Sequence, residues 1–328
     1  MLIESNADAL ITIAKYVGVD YQQMLRQYKD FSSDFRRWDQ APHAQEYLLF
    51  PENIGPRISI DEVALSKGEL VTIVTNKAAK GGKGSLIALI GGVKSAQIRA
   101  VLEKLSPHQR SRVKEVTMDM AKNMASAIEH VFPESTRVTD HFHVSQLVHE
   151  VVQNERIKLR WQEIEAESQA LAQAKKKGVT YVPQELLTGE TPKQLLARSR
   201  YILYKDPSTW TSNQWLRSRV LFGRYPQLET TFNHARKFLK VYKCATKETA
   251  QQTFEQWIAQ THSEQMEAFY SCANSLQAHK DTILNYFENR STNANAESFN
   301  AKIKGFRALG RGVSDPLFFL YRLTKLYA

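Results

Sequence analysis

Three acidic residues, Asp61, Asp119 and Glu297, lie far apart in the chain, each where a regular element would present it. Asp61 falls late in the alternating run Arg57-Ile58-Ser59-Ile60-Asp61-Glu62. Asp119 closes the short apolar run from Val113 to Met118. Glu297 stands near the start of an amphipathic stretch. Carboxylate oxygens are hard ligands, and hard divalent cations prefer them. Gathered on a basic surface, the three would hold two Mg²⁺ (or Mn²⁺) ions. Such a pair activates an attacking oxygen and stabilises the leaving oxygen of a phosphodiester, with no nucleophilic side chain required. Each acid has a plainer reading beside this one. Aspartate caps helices well, and a first-turn glutamate favours the helix dipole.

The elements around these acids follow from periodicity. Arg57 to Glu62, Glu69 to Thr75 and Leu86 to Ile90 read as strands of an antiparallel meander. The Gly- and Lys-rich turn Asn76 to Ser85 joins the last two. Its Lys77, Lys80 and Lys83 form either a solvated hairpin tip or a set of phosphate contacts. A helix from Ser95 to Leu105 leads to the strand before Asp119. An amphipathic segment, Met124 to Val131, is closed by Pro133. The run Thr136 to Thr139 then delivers Asp140-His141-Phe142-His143. The order β-β-β-α-β-α-β, with carboxylates at strand C-termini, is an α/β pattern whose open sheet places its site there.

From 144 to 288 no strand alternation appears, so this stretch is predicted to be an all-helical insertion. In its first helix Leu147, Val151, Val152, Ile157, Trp161 and Ile164 are expected on the buried side. Aromatics such as Trp210, Phe232, Phe254 and Trp257 are assigned to the core. After the insertion, a helix is predicted to start near Asn295. Glu297, Asn300 and Lys304 share one face of it, and Phe299, Ile303 and Phe306 the other. Seating the apolar face on the sheet would turn Glu297 toward Asp61 and Asp119. A basic tail with Arg307, Arg311, Arg322 and Lys325 follows. The chain thus divides into residues 1–56 (helical segment and linker), 57–143 (first part of the core), 144–288 (insertion) and 289–328 (last core helix and tail).

In the first segment, Asp20 can cap a helix from Tyr21 to Tyr28. Ala14, Gly18 and Met24 have the spacing of a helix-turn-helix. It reads either as a DNA-binding unit or as a plain helical pair. The 328 residues carry a formal net charge of +10, a bias toward polyanions, nucleic acid first. Cys244 and Cys272 match no zinc spacing and imply no disulfide, which suits a reducing cytoplasm. No apolar run is long enough for a membrane span and no signal peptide is seen. The expected location is therefore cytoplasmic.

Taken together, Ile60-Asp61-Glu62, Asp119, Asp140-His141-Phe142-His143 and the run Asn295-Ala296-Glu297-Ser298-Phe299-Asn300-Ala301-Lys302-Ile303-Lys304 resemble the DDE transposases of bacterial insertion sequences. The ISL-type family and the related ISAon-type elements are the nearest in pattern, from about Arg57 to the C-terminus. The resemblance implies an RNase H-like mixed sheet, an antiparallel three-strand meander plus parallel strands, interrupted by a large helical insertion. It implies Asp61, Asp119 and Glu297 as catalytic, metal-holding residues. Lys304 matches a basic position recurrent in several DDE groups, and Asn300, Arg307 and Arg311 join it on the DNA. Asp140 and His143 match an acid-x-x-His motif and are expected beside the metal ligands or along the DNA path. His143 reads equally as a helix-cap residue. The implied partners are the element's terminal inverted repeats and target DNA, with a homodimer assembled on them.

Longer relatives carry a cysteine-rich zinc domain ahead of helix-turn-helix segments, and these cysteines have no counterpart here. Terminal-repeat recognition is therefore expected partly in a separate DNA-binding polypeptide from an adjacent reading frame, or in the pair around Gly18. Two other readings stand beside transposition: a structure-specific nuclease of the same fold, and a non-catalytic DNA-binding accessory protein. Retention of all three acids argues against the last.

Overall fold

The computed structural model describes residues 2–5, 8–65, 69–309 and 315–328. It divides into two compact units, Met1–Asp140 with Glu288–Ala328, and His141–Phe287. The first contains a six-stranded sheet in the order β1-β4-β3-β2-β5-β6. The strands are β1 (Tyr47–Leu49), β2 (Arg57–Ala64), β3 (Leu70–Asn76), β4 (Leu86–Gly91), β5 (Glu115–Met118) and β6 (Thr136–Thr139). β2, β3 and β4 form the antiparallel meander. β5 and β6 add to it in parallel. This is the RNase H-like mixed sheet expected from the sequence.

Alternation along the strands sorts the side chains into two layers. Ile58, Ile60, Val116 and Met118 face the helices Ser95–Leu102 and Lys122–Val131, meeting Ile98, Leu102, Met124 and Ile128. Val63, Val71 and Ile73 face the other way. There they pack with Phe299, Ile303 and Phe306 of the acid helix, Ala294–Leu309. Each fully buried side chain of this size contributes about 1.5–3 kcal/mol. The i, i+4, i+7 apolar stripe therefore fixes which side of the acid helix meets the sheet.

Two stretches differ from the sequence reading. The presumed linker, which follows Trp38, contains β1, which pairs with β4, and buries Leu48 and Phe50. Three residues are too few to produce a detectable period. The presumed basic tail is a buried helix, Pro316–Tyr327, capped by Asp315. Phe318, Phe319, Tyr321 and Leu323 join the core beneath the acid helix. Arg322 is buried with them and donates to the Ile3 and Asp8 carbonyls, both at 3.3 Å. The spacing of residues 6–16 predicts a helix capped at Ser5 or Asn6, and Asn6 lies outside the described residues. That helix runs Leu10–Val17. Gly18 adopts a left-handed φ of 75°, and Asp20 caps Tyr21–Gln27 through the Gln23 N–H at 2.8 Å. Ala14 is buried in this pair.

The second unit contains no strand. Its longest helix, His141–Lys177, buries Val144, Val148, Val152 and Leu159. Trp161 and Ile157, expected inside, are exposed. The phase shifts because two polar residues occupy the inner face. Gln153 donates to the Arg200 carbonyl at 3.1 Å and Arg156 to that of Leu196 at 3.0 Å. Trp210, Phe232, Phe254, Trp257 and Phe269 are buried as expected. Trp215 is not. Among the described residues no helix is long and apolar enough to cross a membrane.

Candidate active site

Parallel pairing sets the acids side by side. β2 pairs with β5 in a register that matches Ser59 with Thr117. Carried two residues further, that register would set Asp61 opposite Asp119. β5 pairs with β6 so that Met118 matches Thr139. The next step matches Asp119 with Asp140, and the Asp140 N–H still bonds to the Met118 carbonyl at 2.8 Å. Asp61, Asp119 and Asp140 thus form a row in the register of three adjacent strands, one or two residues beyond the last paired positions. Because Ile58, Ile60, Val116 and Met118 point to the opposite layer, the row faces the acid helix.

That helix is tied directly to the row. Asn300 Nδ2 donates to Asp61 Oδ2 at 2.6 Å. The other Asp61 oxygen accepts from the Glu62 N–H at 2.8 Å. Asp119 accepts from the Ala121 N–H at 2.8 Å. A carboxylate oxygen has two lone pairs and can accept more than one bond. Glu297 lies one turn before Asn300 and is half-buried. Among the described residues no three His, Cys, Asp or Glu groups are gathered closely enough to hold a metal ion as they stand. The donor chemistry nevertheless fits one: neighbouring oxygen ligands, with one or two carboxylates plus substrate phosphates being the usual magnesium set.

The basic residues are placed differently from one another. Lys304 is exposed. Arg307 bonds to Glu69 at 3.0 Å and lies over the Phe319 ring. Asn300, expected on the DNA, is buried against Asp61. Arg311 lies outside the described residues. Asp140 is fully buried and accepts from the Asn293 N–H at 3.1 Å. Asn293 immediately precedes the acid helix, so Asp140 does from a strand end what the acid of a capping box does from within a helix. His143 stands in the first turn of His141–Lys177 and is half-buried.

Lys77, one of the hairpin lysines, turns inward and bonds to Thr117 Oγ1 at 2.7 Å and to Ser291 Oγ. Burial holds its ammonium below the usual lysine range, while the charges of Glu115 and Asp140 pull it back up. Lys80 and Lys83 are exposed. Sequence reasoning did not single out Glu115, although Glu115, Thr117 and Asp119 repeat at every second residue in a buried run. A period-two series of polar residues inside an apolar strand was the available signal.

The family model of ISL3-type DDE transposases, described as "Transposase", matches residues 58–323. No curated protein and no solved structure matches the chain.

Proposed function

Since the chain belongs to the ISL3-type DDE transposase family, we propose that it cuts the ends of a mobile DNA element and joins them to target DNA. The observation that best supports this is the 2.6 Å bond from Asn300 to Asp61. It holds the helix of Glu297 against the strand of the first acid, in register with Asp119. On this reading Asp61, Asp119 and Glu297 hold two divalent ions, Mg²⁺ or Mn²⁺. The ions supply activation of the attacking oxygen and neutralisation of charge on the phosphodiester. Asn300 orients Asp61, and Asp140 sets the start of the acid helix. His143 borders the DNA path. Lys304, Arg307 and Arg311 contact backbone phosphates, and the net charge of +10 adds salt-dependent affinity. Two element ends call for two copies of the chain on DNA, with a separate DNA-binding polypeptide assisting end recognition.

The test is strand cleavage and joining on an end-containing duplex in Mg²⁺, beside a binding titration at fixed salt. Asp61→Asn, Asp119→Asn and Glu297→Gln should each cut about a thousandfold more slowly, the loss expected for roughly 4 kcal/mol of transition-state stabilisation. Binding should hold or tighten, because repulsion of phosphate is relieved. Wild-type cutting by all three variants means the site is assigned wrongly. Cutting without joining makes the protein a nuclease of this fold.

A further inference from the structure

The segment that returns the chain to the sheet unit is gripped by one buried carboxylate. Arg290 adopts a left-handed φ of 52°, a conformation that glycine usually fills after a helix. Both its neighbours bond to Glu115. Asn289 Nδ2 donates to Oε2 at 3.0 Å, and Ser291 Oγ donates to Oε1. Glu115 is 3% exposed. Lys77 completes the cluster, with its Nζ 3.7 Å from Glu115 Oε1 and bonded to Ser291 and Thr117. A strained backbone residue persists only where its surroundings over-determine it, and here both flanks are held. Two residues beyond Ser291, the Asn293 N–H is held by Asp140. One residue further the acid helix begins.

We propose that Lys77, Glu115 and Ser291 form a clasp that positions the acid helix along its axis, and with it Glu297 relative to Asp61 and Asp119. The proposal rests on reading Glu297 as a catalytic acid. The three clasp residues are positioning residues: they act on Glu297 through the start of the acid helix. The apolar stripe of Phe299, Ile303 and Phe306 decides which side of the helix meets the sheet. Sliding along the axis is a separate freedom that apolar contacts restrain weakly, because they are not directional. Directional bonds at the helix start remove it. A buried pair is suited to this task, because charged hydrogen bonds fix geometry closely even where they add little stability.

The test uses the full chain. Lys77→Met/Glu115→Leu replaces the pair with apolar groups, so that neither member is left as a buried charge without the other. Ser291→Ala is a milder variant that serves if the double variant does not fold. The first readout is amide hydrogen exchange over residues 293–299 without DNA or metal. It should quicken about tenfold or more while amides of β2 and β3 keep wild-type rates. The second is the Mg²⁺ titration of cleavage. The rate at low Mg²⁺ should fall about 10- to 100-fold, as for other residues that orient metal ligands, and recover in part at high Mg²⁺. Wild-type exchange in the segment overturns the clasp, and so does faster exchange with an unchanged Mg²⁺ requirement. Glu297→Gln is the control and should keep wild-type exchange while losing cleavage. If it cleaves normally, the catalytic reading of Glu297 falls, and the exchange result still reports whether the clasp holds the helix.

Discussion

The two units bury polar groups in different ways. In the sheet unit, Asp140, Glu115, Thr117, Ser291, Asn293 and Asn300 form one buried strip where β2, β5 and β6 meet the acid helix and the segment before it, while Thr72 and Arg322 are buried apart from it. In the helical unit they are dispersed. Glu190 bonds Arg198 and Arg217 at 3.1 and 3.0 Å. His234 meets Thr261 at 2.8 Å, and Arg156 reaches a carbonyl of a neighbouring helix. Buried polar atoms cost free energy unless bonded, wherever they lie. Concentrating them is therefore not a requirement of folding, and dispersal is what folding alone would produce. The strip marks where orientation matters. On this view, substitutions in the strip should impair chemistry before stability, and substitutions in the helical unit should do the reverse.

The largest expected effect is on the helical unit and is driven by pH. His234 is stacked on Trp257 and buried. Burial, with help from Lys237, lowers its pKa to about 4. The folded state therefore prefers the neutral ring, and the unfolded state binds more protons below about pH 6.5. The stability this represents is complete above pH 6.5 and is lost as pH falls toward 4, on the order of 3 kcal/mol in total. Urea unfolding of the wild type and of His234→Phe between pH 7 and 4 measures it. The variant should lose less stability over that window, and equal losses would show that His234 is not the group responsible.

A smaller effect is expected in the strip. Asn300→Ala removes the donor to Asp61. It should slow cleavage about 10- to 100-fold while the melting temperature stays within a few degrees. A collapse of stability with cleavage per folded molecule intact would reverse the comparison. The smallest effect is expected at Trp161, which is 64% exposed. Trp161→Ala should change stability by less than about 0.5 kcal/mol, as surface substitutions do. A loss of several kcal/mol would mean that this face of the long helix is covered in solution.

Particular residues show what could be read from the sequence. The strands carrying Asp61 and Asp119 were visible because Ile58, Ile60, Val116 and Met118 alternate in short runs bounded by turns. The orientation of the acid helix was visible because Phe299, Ile303 and Phe306 repeat at helical spacing. β1 was not, since three residues define no period. The buried helix at the C-terminus was masked by Arg322 and Lys325 and by the glycines before it, which suggested a basic tail. The phase of the long helix is hidden in the sequence because Gln153 and Arg156 take inner positions by bonding to the carbonyls of Arg200 and Leu196. The partners of Glu115 lie at Asn289 and Ser291, far along the chain. Such a cluster exists only in three dimensions, and no local pattern announces it.

The bond from Asn293 to Asp140 also joins the two points where the helical unit leaves and re-enters the sheet unit. Seen from the core, everything between them is a loop whose ends already touch. The entropy of closing such a loop grows only with the logarithm of its length, about 0.6 kcal/mol for each doubling. The core is thus almost indifferent to how much chain is inserted at this point. Lengthening, trimming or exchanging the inserted helices leaves the geometry of the three strand ends where β2, β5 and β6 set it.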